Sequence, residues 1–302
     1  MSRDLETHLR ELFPELEILE NEPMKKHTTF RIGGPANLYI APKADQVADI
    51  VKLCRQFGVP FFVIGNGSNL LVGDKGFDGV VIEVGRNASE IEITGDCIEA
   101  TAGATLAAIA SKAAGAGLTG LEFASGIPGC LGGALVMNAG AYGGEMKQVV
   151  TKVCCLTKEG EVITLTGDEM EFGYRHSIVI EKEYIVLSAQ MRLQHGVEEE
   201  IRKTMRELNE QRVAKQPLQY PSAGSTFKRP EGCFAGKLIM DAGLAGYTVG
   251  GAQVSEKHCG FVINIGGATA MDVRTLMEEV SRIVREKFGV SLEPEVKMVG
   301  QF

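Results

Sequence analysis

Several short stretches of this 302-residue chain carry residue types that could do chemistry. The first is Gly65-Asn66-Gly67-Ser68-Asn69-Leu70, directly after the apolar run Phe61 to Ile64. Two glycines allow the main chain to turn sharply, and Ser68 and Asn69 add side-chain donors. Successive N–H groups in such a turn form an anion-binding nest that suits a pyrophosphate. An ordinary hairpin turn is the competing reading of this stretch alone. The second stretch runs from Gly120 to Gly144, with eight glycines and no Lys, Arg or Asp. Glycine costs backbone entropy, so a fold retains so many only for positive φ or close backbone approach. Leu121, Phe123, Ile127, Leu131, Leu135, Val136 and Met137 can anchor it in a core, which separates it from a linker. A long flat ligand gripped by main-chain amides fits both stretches together, whereas a run of tight turns would explain either one.

Later polar clusters supply side chains that could act on such a ligand. In Phe172-Gly173-Tyr174-Arg175-His176-Ser177 the Arg175 guanidinium is a fork for a carboxylate. In Tyr220-Pro221-Ser222-Ala223-Gly224-Ser225-Thr226-Phe227-Lys228-Arg229, a serine hydroxyl sits near two cations, although an ST-turn with basic neighbours reads equally well. It is not a nucleophile elbow, and no triad partner accompanies it. Leu292-Glu293-Pro294-Glu295 sets two carboxylates about a proline that fixes where Glu295 points. Solvated surface side chains are the plain alternative for Arg175 and Glu295. Gly115-Ala-Gly117-Leu-Thr-Gly120 matches the dinucleotide fingerprint in letters, but it follows an alanine-rich helix instead of a strand. Its glycines are expected to end that helix, and a Rossmann domain is not expected.

The elements that must hold these groups follow from periodicity. A helix is expected within residues 1–20, with Leu5, Leu9 and Leu12 inward and Pro14 ending it. A second helix, 45–57, has the buried stripe Val47, Ile50, Val51, Cys54 and Phe57, and Gly58 stops it. Strands are expected at 37–40, 61–64, 80–84, 91–93 and 97–101, then a small-residue helix at 105–116. A hairpin about Lys158-Glu159-Gly160 joins strands 149–157 and 161–165, and another strand covers 184–191. A charged helix at 197–215 turns Ile201, Met205 and Leu208 inward. Beyond it, helix 234–242, strands near 251–254 and 261–265, and a strong helix through Val273, Leu276, Met277, Val280, Ile283, Val284 and Phe288 to Gly289 suggest a separate small α+β unit.

Composition bounds the reading further. Hydrophobic residues make up 44% and charged residues 23%, as in soluble globular proteins. A net charge of −8 argues against nucleic acid or an anionic membrane as a partner. The charged start is not a targeting signal, and no apolar run reaches membrane-spanning length. Seven scattered cysteines without C-x-x-C fit reduced thiols in a cytoplasm, and five histidines lack metal-ligand spacing, so no metal is expected.

Taken in order, the motifs resemble the UDP-N-acetylenolpyruvoylglucosamine reductase family, the flavoenzymes of bacterial peptidoglycan precursor synthesis. The resemblance rests on Thr29-Phe30-Arg31-Ile32-Gly33-Gly34-Pro35-Ala36, Gly65 to Leu71, Ser125-Gly126-Ile127-Pro128-Gly129, Gly132-Gly133-Ala134, Asn138-Ala139-Gly140-Ala141-Tyr142-Gly143, Tyr174-Arg175-His176-Ser177, Ala223 to Lys228 and Leu292 to Val296. These cover nearly the whole chain. The short stretch between Tyr174 and the last domain is similar to the family's second type. The resemblance implies an α+β fold: an FAD-binding fold of the vanillyl-alcohol-oxidase (PCMH) type, with subdomains over 1–88 and 89–211 and a C-terminal α+β substrate domain over 212–302. It implies noncovalent FAD on Gly65, Asn66, Gly67, Ser68, Asn69 and Leu70, and on Ser125, Gly126, Ile127, Pro128, Gly129, Gly133, Asn138, Ala139 and Gly140. Catalytic roles fall on Arg175, Ser225 and Glu295, and substrate contacts on Lys215, Tyr174 and Arg229. Cys130 and Arg229 depart from frequent family choices, and Arg229 bears on the phosphate contacts.

The implied reaction is the NADPH-dependent, FAD-mediated reduction of UDP-N-acetylglucosamine enolpyruvate to UDP-N-acetylmuramate, by a cytoplasmic enzyme expected to be a monomer. An enol ether accepts hydride poorly, so Arg175 and Glu295 would stabilise the charge developing on its carboxylate, and Ser225 would protonate the carbon that hydride does not reach. Glu295 would need a proton, a cation or a neighbouring donor to help, because a bare carboxylate repels that charge. The rivals are another FAD-dependent oxidoreductase on the same scaffold and a nucleotide-binding module without catalysis.

Overall fold

The structure is a computed structural model and describes residues 2–302. The chain forms two compact units, each assembled from separated segments: 1–19, 39–66 and 79–212 in one, and 20–38, 67–78 and 213–302 in the other. Three strands, Ile18–Pro23, Pro35–Ile40 and Phe77–Glu83, carry the chain across those boundaries.

The first unit begins with α1 (Ser2–Leu12), which buries Leu5 and Leu9. Leu12, expected on the same inward face, is instead 59% exposed, because the helix ends there and the chain turns away before Pro14. Helix α2 (Val47–Gln56) buries Val47, Ile50, Val51 and Cys54 of the expected stripe, while Phe57, expected with them, is half-buried just past the helix end. Strand Phe61–Ile64 then pairs in parallel with Val80–Glu83, the buried core-strand pattern. A five-stranded antiparallel sheet follows, in the order 162–166, 150–156, 185–192, 97–101, 91–94. Its hairpin turns about Gly160 as expected. Helix α3 (Leu106–Gly115) opens on Thr105, whose hydroxyl accepts from the Ala108 N–H at 3.2 Å. The residues resembling a dinucleotide fingerprint end α3 and lead into the short strand Leu118–Thr119. Short helices α4 (Leu131–Val136) and α5 (Ile178–Lys182) precede the charged α6 (Glu198–Lys215). In α6 only Ile201 is buried; Met205 and Leu208, expected inward, are half-buried.

The second unit explains its own discontinuity. Phe30, Ile32 and Leu71 pack in one core with Phe227, Ile239 and the stripe of the last helix. Burying such side chains contributes roughly 1.5–3 kcal/mol each, so these early segments have a strong reason to join it. Polar ties fix them: the Thr29 hydroxyl donates to the Ser222 carbonyl at 2.6 Å, and the Asn264 amide donates to the Phe30 carbonyl at 3.1 Å. Strand Leu70–Val72 pairs in parallel with Lys297–Val299. Helix α7 (Ala235–Asp241), a three-stranded antiparallel sheet (248–249, 252–254, 262–264) and α8 (Ala270–Phe288) complete the unit. Val273, Leu276, Met277, Val280 and Val284 are buried on α8, whereas Phe288, expected on the stripe, is 41% exposed at the helix end before the left-handed Gly289 cap.

The start of α8 is over-determined. Thr269 and Asp272 exchange capping bonds at 3.0 Å each, and the Asp74 carboxylate accepts from the N–H groups of Ala270 and Met271 at 2.8 and 3.0 Å. The Thr269 N–H, the nearest donor, holds the Asp272 carboxyl below the ordinary carboxylate range. A depressed pKa stabilises the fold above the unfolded value near ~4 and loses that contribution as pH falls through the folded one. Thr269→Ala is therefore expected to cost about 1 kcal/mol in urea unfolding. The cost of Asp272→Ala is expected at pH 7 and should shrink as pH drops below ~4; a pH-independent cost would contradict this account of the cap.

Candidate functional site

In the first unit the two glycine stretches meet. Strand Phe61–Ile64 ends at Gly65, where an added Cβ would lie 3.1 Å from the Cys130 Cβ, so glycine is what permits the approach. Next to it the Asn66 amide donates to the Pro128 carbonyl at 3.4 Å, and the Cys130 thiol donates to the Asn66 side-chain oxygen at 3.4 Å. The 125–130 segment is held from its other side. The Leu106 N–H donates to the Gly129 carbonyl at 3.0 Å and the Leu131 N–H to the Ala104 carbonyl at 2.8 Å. The Ser125 hydroxyl donates to the Glu122 carbonyl at 2.8 Å.

Whether this arrangement suits a dinucleotide can be judged from its donors and its space. Among the described residues the main-chain N–H groups of Asn66, Gly67 and Ser68 donate to no protein acceptor. The glycines of the longer stretch divide into two kinds. At Gly144 an added Cβ would sit 2.4 Å from the Phe123 ring, so its need is internal packing. At Gly133 nothing lies within 4 Å, and that side is open to a ligand. Unpaired amides and open glycine surface fit an anionic, flat cofactor. Burial pushes the Cys130 thiol above its ordinary value, so it is not a ready nucleophile.

Glu122 is a supporting residue that the sequence analysis missed. Its carboxylate accepts from the Thr119 hydroxyl at 2.6 Å and the Gly120 N–H at 2.9 Å, which anchors the turn before Ser125. The signal was present as Thr119-x-x-Glu122, a capping-box spacing. Arg212 gave no signal within its charged helix. An added Cβ at Gly126 would come within 3.3 Å of its side chain, and burial pushes its guanidinium down from the ordinary value.

Arg175 occupies the tip of a two-residue turn, closed by the Gly173 N–H donating to the His176 carbonyl at 3.1 Å and the reverse bond at 3.3 Å. It has φ +54°, and its guanidinium lies 5.2 Å from the centre of the exposed Tyr174 ring. The 2% exposed Asn138 donates to the Gly173 carbonyl at 3.1 Å, so the third expected segment of the glycine stretch reaches the arginine turn.

In the second unit the segments that carry Ser225 and Glu295 are joined by an isolated antiparallel bridge. The Glu295 N–H donates to the Thr226 carbonyl at 2.8 Å, the Lys228 N–H to the Glu293 carbonyl at 2.8 Å, and Phe227 bridges Pro294. The buried Thr226 is fixed in turn, donating its N–H to the Gly260 carbonyl and accepting the Val262 N–H on its hydroxyl, both at 2.8 Å. Asn69, expected at the cofactor, has its amide on the Glu295 carbonyl at 3.1 Å, while the Lys297 N–H donates to the Asn69 carbonyl at 3.0 Å. Leu70 opens the strand paired with 297–299. Arg229 stacks 4.6 Å from the centre of the Phe234 ring, and Lys215 is the exposed last residue of α6.

Comparison with known proteins agrees with this distribution. The family described as FAD binding domain matches residues 35–166, and the one described as UDP-N-acetylenolpyruvoylglucosamine reductase, C-terminal domain, matches 216–299. Curated proteins named UDP-N-acetylenolpyruvoylglucosamine reductase from Agathobacter rectalis and Caldanaerobacter subterraneus subsp. tengcongensis are 58% and 54% identical, each over 100% of both chains. The crystal structure of UDP-N-acetylenolpyruvylglucosamine reductase from Thermus caldophilus superposes with a TM-score of 0.79 at 35% identity, covering 94% of this chain and 99% of that one. With its glycine turns and the bridged segments that carry Ser225 and Glu295 set within full-length similarity of this extent, the chain belongs to the UDP-N-acetylenolpyruvoylglucosamine reductase family.

Proposed function

We propose that this chain is a flavin-dependent oxidoreductase that reduces UDP-N-acetylglucosamine enolpyruvate to UDP-N-acetylmuramate, the peptidoglycan precursor, with NADPH as co-substrate and noncovalent FAD. Full-length similarity to reductases of that name carries the reading. FAD, when bound, would supply hydride chemistry with NADPH as the reductant. The amides of Asn66, Gly67 and Ser68 would hold its anionic pyrophosphate, and Ser125 to Gly129, Gly133 and Asn138 to Gly140 would line the rest of it.

The chain's own groups then manage charge and protons. Arg175 engages the enolpyruvyl carboxylate as a fork and offsets the negative charge that grows there. Glu295 assists once it carries a proton or acts through a neighbouring donor, since two bare carboxylates would repel. The Ser225 hydroxyl gives its proton to the carbon that hydride does not reach. A hydroxyl is a weak acid, but that carbon is a strong base at that moment, so the transfer runs downhill. Tyr174, Lys215 and Arg229 contact the rest of the substrate, the two cations answering its diphosphate. The pairing of 226 with 295 supports these roles, because it fixes the proton donor and the carboxyl on neighbouring segments.

No helix among the described residues is long and apolar enough to cross a membrane, and we place the reaction in the cytoplasm, carried out by a monomer. Rapid mixing separates the two half-reactions. Ser225→Ala should bind FAD and accept electrons from NADPH as the wild type does, while reoxidation by the enolpyruvyl nucleotide slows by ~10²–10⁴-fold or more. Unchanged reoxidation would remove Ser225 from the chemistry. The raised Cys130 thiol leads to a further expectation. Acid precipitation should release the flavin into the supernatant, and flavin retained on the denatured chain would contradict noncovalent binding.

A further inference from the structure

Arg175 stands where an arginine is not at ease. The turn Gly173-Tyr174-Arg175-His176 places it at the third position with φ +54°, a left-handed conformation that such turns ordinarily assign to glycine or asparagine. A non-glycine residue held there persists only when its surroundings fix it, and such strain clusters where a side chain must be aimed. Beside the turn's own main-chain bonds, two side-chain bonds tie this segment to the end of α4. The fully buried Ser177 hydroxyl donates to the Val136 carbonyl at 2.8 Å. The Asn138 amide donates to the Gly173 carbonyl at 3.1 Å.

Asn138 is itself anchored at every side-chain atom that can bond. Its second amide hydrogen goes to the Glu145 carboxylate at 2.8 Å, and its oxygen accepts the Lys147 N–H at 3.0 Å. Glu145 is kept ionised, and so a strong acceptor, first by the Lys147 ammonium 3.1 Å away, then by the Asn138 amide and the charge of Arg175. Both amide hydrogens are therefore spent on protein. A cofactor contact at this position would be a main-chain one, and the side chain needs another purpose.

We propose that Asn138 is a positioning residue for Arg175: its amide clamps the Gly173 carbonyl and thereby holds the strained turn that aims the guanidinium at the substrate carboxylate. The proposal rests on the reading of Arg175 as the carboxylate-binding catalytic group. No other side chain among the described residues ties the Gly173 carbonyl. Loss of the amide frees the turn to relax, and the arginine loses its aim while keeping its charge.

The test uses Asn138→Gly, because glycine accepts the φ of +43° found at 138, so the side chain and its bonds to Gly173, Glu145 and Lys147 are removed without straining the main chain there. Three measurements read it. In the protein without substrate, hydrogen exchange at the His176 amide, bonded to the Gly173 carbonyl at 3.3 Å, should quicken at least ~10-fold as the turn opens. Flavin content is measured first, because the main chain at 138 also borders the cofactor, and every rate is taken per bound flavin. Reoxidation by the enolpyruvyl nucleotide should slow ~10-fold or more in the Arg175 protein, but less than ~2-fold when Asn138→Gly is added to Arg175→Lys, since a residue acting through Arg175 has little left to disturb. Equal losses in both backgrounds, unchanged exchange at His176, or an Asn138→Gly protein that folds without flavin would each overturn the proposal. If Asn138→Gly fails to fold, Asn138→Ser takes its place with the same expected pattern and the same contrary outcomes. An Arg175→Lys enzyme that reoxidises at the wild-type rate would instead sink the catalytic reading of Arg175, a different failure from an Asn138 effect that ignores the background.

Discussion

One close approach of main chain governs the first unit: Gly65 against Cys130, with the Asn66 side chain bridging to Pro128 and to the Cys130 thiol. A side chain at 65 would have to push the partner segment away by a few tenths of an ångström or more. With glycine there, the chain leaving the strand Phe61–Ile64 lies against the Pro128–Cys130 segment, where the Asn66 N–H has no protein acceptor among the described residues, and Gly133 on the following α4 has an open face. Neither loop alone would define a site. An N–H group left without a protein acceptor is a cost unless water or a ligand meets it, and a pyrophosphate meets several at once.

The second unit solves a different problem. Its candidate hydroxyl and carboxyl, on Ser225 and Glu295, belong to two segments joined by an isolated antiparallel bridge. The bonds between 226 and 295 and between 228 and 293 leave little freedom between the two segments, and Asn69 steadies the Glu295 carbonyl. Side chains mounted on paired main chain are better placed than those on free loops, and proximity of this kind is what lowers a barrier without stronger binding. The overall charge of −8 would repel a nucleotide diphosphate, so the proposed substrate contacts, Lys215 and Arg229 in this unit, would have to outweigh it at short range.

The parts legible in the sequence share a physical trait: they are local. The stripe of α2 from Val47 to Cys54, the hairpin about Gly160 and the Gly289 stop are each written within a few residues, and each appears. The two glycine stretches stand out as motifs because unusual composition needs an unusual cause, whereas the Ser225 and Glu295 segments read as ordinary turns until the family resemblance picks them out. Illegible were the long-range pairings. Nothing in periodicity announces that Leu70–Val72 pairs with Lys297–Val299, or that Phe30 and Leu71 share a core with Val280. Helix ends were misread for a related reason. Leu12 and Phe288 continue a helical stripe in letters, but the neighbour that would cover them is absent at the last turn. The strain at Arg175 was also hidden, since an arginine gives no hint of positive φ, and the clamp at Asn138 becomes visible only with the turn it holds.

The account stands or falls on main-chain amides at the meeting of the two glycine turns holding FAD. Titration of flavin-stripped protein with FAD, followed by flavin fluorescence, tests this directly in Gly65→Ala, where a single methyl group wedges Gly65 from Cys130 at 3.1 Å. With far-UV circular dichroism unchanged, FAD affinity should fall at least ~10-fold, the loss of roughly one charge-assisted hydrogen bond. A folded Gly65→Ala protein that binds FAD as tightly as the wild type would contradict it.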